Sequence, residues 1–244
     1  MTRRYHAAAL PHGGGLVSLD DAERHHALNV MRVRAGESIV LFDGQGNEAL
    51  AVIQTVSKRQ IVCESAAVSQ PGLENSLFLT LAVAMPKGDR AKELVERLTE
   101  LGVNRLVPVH CQRTQWTVPE NAVAKWQRIM IDACKQCGRN RFMQIAEPQP
   151  LQAWLISDPD PPQACRYLVH PPDRDRVATR RSAITAENLV GATAACATIG
   201  PEGGFSDAEV ELAEAHGWQR LSLGDRTYRI ETAAILATIK IARL

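Results

Sequence analysis

"IGPEGGFSDAEVELAEAHG" spans Ile199 to Gly217, and it decides how the carboxy-terminal part of the chain is built. An apolar run, Ala195 to Ile199, leads into three glycines and a proline within Gly200 to Gly204. Ser206 and Glu209 then form S-x-x-E, a capping box, so the loop delivers the chain into a helix N-terminus. Strand, glycine loop and capped helix make the repeating step of an alternating α/β fold.

The same alternation extends outward. "LFLTLAVAM" reads as a buried strand, and "PKGDRAKELVERLTELGV" as a helix with Ala91, Leu94, Val95, Leu98 and Leu101 on one stripe and Gly102 at its end. "RLVPVH" is a strand and Pro119 to Gln136 a helix; "RYLVH", "ACATIG" and "RLSLG" are further short strands, and Glu231 to Leu244 is a closing helix. This pattern predicts a mostly parallel sheet covered on both faces. Upstream of "SQPGLENS" the chain changes character. "ESIVLFDGQGNEALAVIQTV" shows two strands around a hairpin signal, "IVCESAAV" a third, and "DDAERHHALNVMR" one preceding helix. Residues 1–72 are therefore expected to form a small β-rich domain and 73–244 the α/β domain.

Composition excludes several classes. Of 244 residues, 45% are hydrophobic and 23% charged, ordinary for a globular protein. No apolar run approaches the roughly 20 residues of a membrane span, and the amino terminus carries no signal-peptide core, so a cytosolic protein is expected. Six cysteines are too few for a disulfide scaffold. Cys134 and Cys137 form C-x-x-C inside a helical pattern with no second pair to complete a zinc site, and no metal is expected. Net charge is +1, but Pro86 to Ile145 holds eleven basic and six acidic residues, either a solvated helical face or a surface for a polyanion.

The capped helix start favours an anion, which makes phosphate the first ligand to consider. However, neither G-x-x-x-x-G-K-[ST] nor G-x-G-x-x-G is present, and Glu202 would repel a polyphosphate. A ligand with hydroxyls and a nitrogen base suits the loop better; a plain strand-to-helix turn is the alternative. "LVHPPDR", Leu168 to Arg174, and "LSLGDRTYRIETAA", Leu221 to Ala234, also end strands, and three such loops would converge on one crevice.

Ile199 to Ser206, followed by Leu223-Gly224-Asp225-Arg226-Thr227-Tyr228-Arg229-Ile230-Glu231-Thr232-Ala233, resembles the bacterial methyltransferase family that modifies N3 of a uridine in 16S ribosomal RNA, within the SPOUT superfamily. "MPKGDRAKELVERLTELGV" and "ACKQCGRNR" match it in order, and "RHHALNVMRVRAGESIVLFDG" resembles its PUA-like RNA-binding module. The resemblance covers nearly the whole chain. It implies a trefoil-knotted carboxy-terminal α/β domain, a small PUA-like β-barrel, S-adenosylmethionine as methyl donor, a homodimer, and 16S ribosomal RNA or the small ribosomal subunit as partner. Tyr228 and Ile230 depart from a family pattern that usually has leucine and threonine there.

On that basis the cofactor-binding candidates are Leu168, His170, Ile199, Gly200, Pro201, Glu202, Gly203, Gly204, Leu221, Leu223, Gly224 and Tyr228. Methyl transfer to N3 requires loss of a proton and builds negative charge on the flanking carbonyl oxygens, so it calls for an aimed donor. Arg229 is the first candidate and Arg226 the second; Glu231 is either a base or the holder of an arginine. Arg3, Arg4, Arg32, Arg34, Lys87, Arg90, Arg139 and Arg141 are the candidates for RNA phosphates. A non-catalytic RNA-binding or assembly protein on the same fold, a methyltransferase with another RNA target and a nucleotide-dependent enzyme are the rival functions.

Overall fold

The computed structural model describes residues 2–157, 163–170 and 191–242. The chain divides into two compact units. One comprises Met1–Glu74 with Ile131–Phe142, the other Asn75–Met130 with Met143–Leu244.

The first unit is built on a five-stranded sheet of β1 (Arg4–His6), β2 (Gly15–Ser18), β3 (Ser38–Phe42), β4 (Glu48–Val56) and β5 (Ile61–Ser65), in the order β1-β3-β4-β5-β2. β1 pairs with β3 in parallel; the other pairings are antiparallel. Alternation along β4 buries Ala49, Ala51 and Ile53, and the last two pack with Ile39, Leu41, Ile61 and Cys63. The predicted helix is shorter than its pattern. α1 (Asp21–His25) is capped by Asp20, whose carboxylate accepts from the Glu23 backbone, and a π-helical turn, His26–Val30, follows.

The tip of the β3–β4 hairpin is completed from far along the chain. The Gly46 amide donates to the Asn140 carbonyl at 3.0 Å and the Phe142 amide to the Gly44 carbonyl at 2.8 Å. A Cβ at Gly44 would collide with the Phe142 ring, and its φ of +74° is itself a glycine conformation.

The second unit holds a seven-stranded sheet. In chain order its elements are β6 (Phe78–Val83), α2 (Asp89–Glu100), β7 (Arg105–His110), α3 (Ala122–Cys137, whose last turns belong to the first unit), β8 (Gln144–Ile145), β9 (Gln149–Pro150), α4 (Leu151–Ile156), β10 (Cys165–Val169), β11 (Ala194–Ile199), α5 (Asp207–Ala215), β12 (Gln219–Leu221) and α6 (Ile230–Ala242). The order is β12-β10-β11-β6-β7-β8, with β9 paired to β7, and every pairing is parallel. Ala82, Val107, Leu168 and Cys196 pack with Trp154 and Leu155 of α4 and Val210 and Ala213 of α5. The residues of opposite parity, Leu79, Leu81, Ala195 and Ala197, are also buried, and α6 packs against β6, β11 and α2. The sheet is thus covered on both faces, as its unbroken apolar strands require.

Candidate active site

Parallel pairing fixes where the site lies. Val169 stands opposite both Ile199 and Leu221, so β10, β11 and β12 release the chain at one level of the sheet. Their loops surround a cavity of about 280 Å³. β10 delivers His170; β11 delivers Ile199, Gly200, Pro201, Glu202, Gly203 and Gly204; the segment after β12 delivers Leu223, Gly224, Arg226 and Tyr228. Leu168 and Leu221, expected to touch a cofactor, do not line the cavity. They are 1% and 0% exposed and belong to the packed sheet beneath it. Pro171 to Arg174 lie outside the described residues.

The cavity also has walls that sequence reasoning missed: Val169, Phe205, Thr227, Ile230 and Ala233. Ile230 and Ala233 stand three apart at the start of α6, the spacing that puts both on one helix face. Ile230 supplies a buried apolar surface to the cavity.

The glycine loop is folded by its own hydrogen bonds. The Gly204 amide donates to the Pro201 carbonyl at 2.8 Å, closing a turn in which Gly204 has φ +68°. A Cβ on Gly200 would stand 3.1 Å from the Phe205 ring. The capping box is formed as read: Ser206 Oγ accepts from the Glu209 amide, and Glu209 Oε2 accepts from the Ser206 amide at 2.7 Å.

Arg90 organises the acidic groups. Its Nε donates to both carboxylate oxygens of Glu231 at 3.0 and 3.2 Å, its Nη2 to Glu231 Oε2 at 2.7 Å, and its Nη1 to Glu202 Oε1 at 3.0 Å. Burial pushes the Glu231 carboxyl up, but the hydrogen bonds from Arg90, a backbone hydrogen bond and the positive charges of Arg90 and Arg229 together outweigh it and hold the group below the usual carboxylate range. Both oxygens of the Glu231 carboxylate thus accept from an arginine. That arginine is Arg90, which is thereby drawn away from the role of a free phosphate contact. Arg229 is exposed, its carbonyl caps the first turn of α6 by accepting from Ala233, and among the described residues no carboxylate pairs with its side chain.

The remaining basic candidates separate by burial. Arg139 is 6% exposed and paired with Glu74 through two hydrogen bonds. Arg4 joins Glu48 and Asn140 in the same unit. Each is thus engaged by a carboxylate within the unit, Arg139 buried and Arg4 partly so. Arg3 pairs with Glu37 at a half-exposed position. Arg32, Arg34, Lys87 and Arg141 are exposed.

The chemistry of the lining can be matched to a ligand. Among the described residues that line it, Glu202 is the one acidic residue and Arg226 the one arginine or lysine; the rest is glycine backbone, aliphatic surface, His170, Phe205, Thr227 and Tyr228. With no lysine and a carboxylate in the loop, the cavity does not suit a triphosphate. Glycine backbone, apolar walls and a carboxylate do suit S-adenosylmethionine, a ligand with adenine, ribose and a positive sulfonium.

Comparison with known proteins agrees. Residues 73–242 match the RNA methyltransferase domain, and residues 19–64 match the RNA methyltransferase PUA domain. The chain belongs to this RNA methyltransferase family. It is similar to ribosomal RNA small subunit methyltransferase E of Synechocystis, 30% identical over 93% of this chain and 73% of that protein, and to that of Bacillus subtilis, 28% identical over 92% and 89%. Among solved structures it is similar to a Legionella pneumophila chain in complex with the cofactor SAM, at 32% identity and TM-score 0.86, covering 100% of this chain and 98% of that one. Ribosomal RNA small subunit methyltransferase E of Neisseria gonorrhoeae bound to S-adenosylmethionine gives 29% identity and TM-score 0.83, over 98% and 95%.

Proposed function

We propose that the protein methylates N3 of a uridine in 16S ribosomal RNA of the small subunit, using S-adenosylmethionine held at the glycine-loop cavity. The observation that carries this reading is a cavity whose described lining combines glycine backbone with one carboxylate and no lysine, in a chain of the RNA methyltransferase family. The cofactor supplies an electrophilic methyl group on a sulfonium.

The chain's own residues then have three tasks. Gly200 to Gly204 and the apolar walls fix the ligand's orientation and keep water from it. Arg226 and Arg229 stand at the edge of the cavity and beyond it, where a guanidinium can donate to a carbonyl oxygen that gains charge as N3 attacks. Glu231 and Glu202 hold Arg90 and so leave Arg229 to the substrate.

The exposed Arg32, Arg34 and Arg141 of the amino-terminal unit, and Lys87, are the basic residues assigned to RNA phosphates. A trefoil-knotted carboxy-terminal domain and a homodimer belong to the same proposal. Half-buried Ile235 and Leu236 and exposed Ile239 on α6 supply an apolar surface for a second copy. Light scattering at micromolar concentration should give twice the chain mass; a fully active monomer would end that part.

The deciding experiment maps methylated bases in ribosomal RNA from cells with and without the protein. One uridine in 16S ribosomal RNA should lose its N3 methyl group in its absence, and an unchanged map would refute the assignment.

A further inference from the structure

The segment after β7 lies across the end of β6 and reaches the glycine loop. Trp116 Nε1 donates to the carbonyl of Met85, two residues beyond β6, at 2.8 Å. The Gln112 amide donates to Glu209 Oε1 at 2.7 Å, the other oxygen of the capping carboxylate. Between these anchors stands Arg113, whose Nη1 donates to the carbonyls of Gly203 at 3.1 Å and Phe205 at 3.0 Å. Arg113 does not line the cavity.

These two contacts fix more than two oxygens, because a peptide unit is planar. In the Gly203–Gly204 unit the carbonyl is held by Arg113 and the amide by Pro201. In the Phe205–Ser206 unit the carbonyl is held by Arg113 and the amide by Glu209. Two of the loop's peptide planes are thus pinned at both ends, and Gly204 between them loses the conformational freedom that a glycine would otherwise have. A loop of glycines binds tightly only if its ordering is not left to the moment of binding.

We propose that Arg113 is a positioning residue that preorganises the glycine loop from outside the cavity. The inference rests on the proposed S-adenosylmethionine site, which it deepens. Both hydrogen bonds leave from one nitrogen, so a lysine ammonium, with three donors on one atom, can replace them in part. Methionine keeps the unbranched stem and offers no donor.

Arg113→Met should raise amide hydrogen exchange across residues 200–206 of the ligand-free protein and weaken S-adenosylmethionine binding roughly 10-fold, the scale of losing a charge-assisted contact. Its melting temperature should stay within a few degrees of wild type, and Arg113→Lys should recover most of both effects. Wild-type exchange in Arg113→Met overturns the proposal whatever the ligand is. Faster exchange with unaltered affinity overturns the preorganising role. Failure of the wild-type protein itself to bind S-adenosylmethionine would refute the functional reading instead, and the exchange measurement would still decide whether Arg113 orders the loop.

Discussion

Arg90 closes on Glu231 with both ends of its fork, Nε to Oε1 at 3.0 Å and Nη2 to Oε2 at 2.7 Å, across 141 positions of sequence. The pair joins the start of α2 to the start of α6 and, through Glu202, to the glycine loop. Glu231→Gln keeps the shape but weakens the clamp. It should lower stability by roughly 1 kcal/mol, a figure moderated by the solvent exposure of Arg90. Denaturant unfolding would measure this.

The same pair predicts a pH dependence. Folding holds the Glu231 carboxyl below its ordinary value of 4.5, so its stabilisation is complete above about pH 4.5 and fades as pH falls through the folded-state value. The stability difference between wild type and Glu231→Gln should therefore be flat at neutral pH and shrink in acid. A difference that grows on acidification would contradict the assignment.

Arg229→Lys tests the chemical step. Among the described residues Glu231 accepts its side-chain hydrogen bonds from Arg90, and Arg229 bears on it only as a nearby positive charge. Lysine keeps the charge and loses the fork, so the single-turnover methylation rate should fall by roughly 100-fold with cofactor affinity and melting temperature little changed. An unchanged rate removes Arg229 from the chemistry.

Gly203→Val tests the loop. A Cβ there would stand 3.3 Å from Arg113 Cβ, and the branched side chain would press on the neighbour that holds the adjoining carbonyls. S-adenosylmethionine binding, followed by calorimetry, should drop at least about 10-fold. Wild-type affinity in a folded variant would place the ligand elsewhere.

The basic residues should divide into two groups. Arg34→Ala and Arg141→Ala should weaken RNA binding and reduce its salt dependence, each by about one counterion. Arg139→Ala should instead cost stability, because Glu74 loses its buried partner. RNA affinity titrated against salt, with melting curves on the same samples, separates the groups; a lower salt slope for Arg139→Ala at full stability would reverse the assignment.

Much of this organisation was legible in the chain. The stripe Ala91, Leu94, Val95, Leu98 and the box Ser206–Glu209 are local patterns, and local patterns survive folding. The three strand-end loops could be aligned because parallel strands release their loops on one side of the sheet. What escaped was non-local or very short. β1 has three residues and takes its partner 36 positions away, and α4 has six residues with no cap. An arginine's partner has no sequence signal either. Arg4, Arg90 and Arg139 read as candidates for RNA phosphates, and only the fold brings Glu48, Glu231 and Glu74 to them. Arg113 sits in no motif, and only the crossing of the segment after β7 reveals its contacts.

The completed hairpin tip has a consequence for how the amino-terminal unit can be moved between proteins. Its information is written in two instalments of the gene, residues 1–74 and 131–142. A cassette cut after Glu74 would carry Gly44 without the ring that fills its side, and would leave Arg139 behind with no carboxylate to meet. The two instalments must be transplanted together, which makes the unit a poor candidate for simple fusion and ties its inheritance to the enzyme's own reading frame.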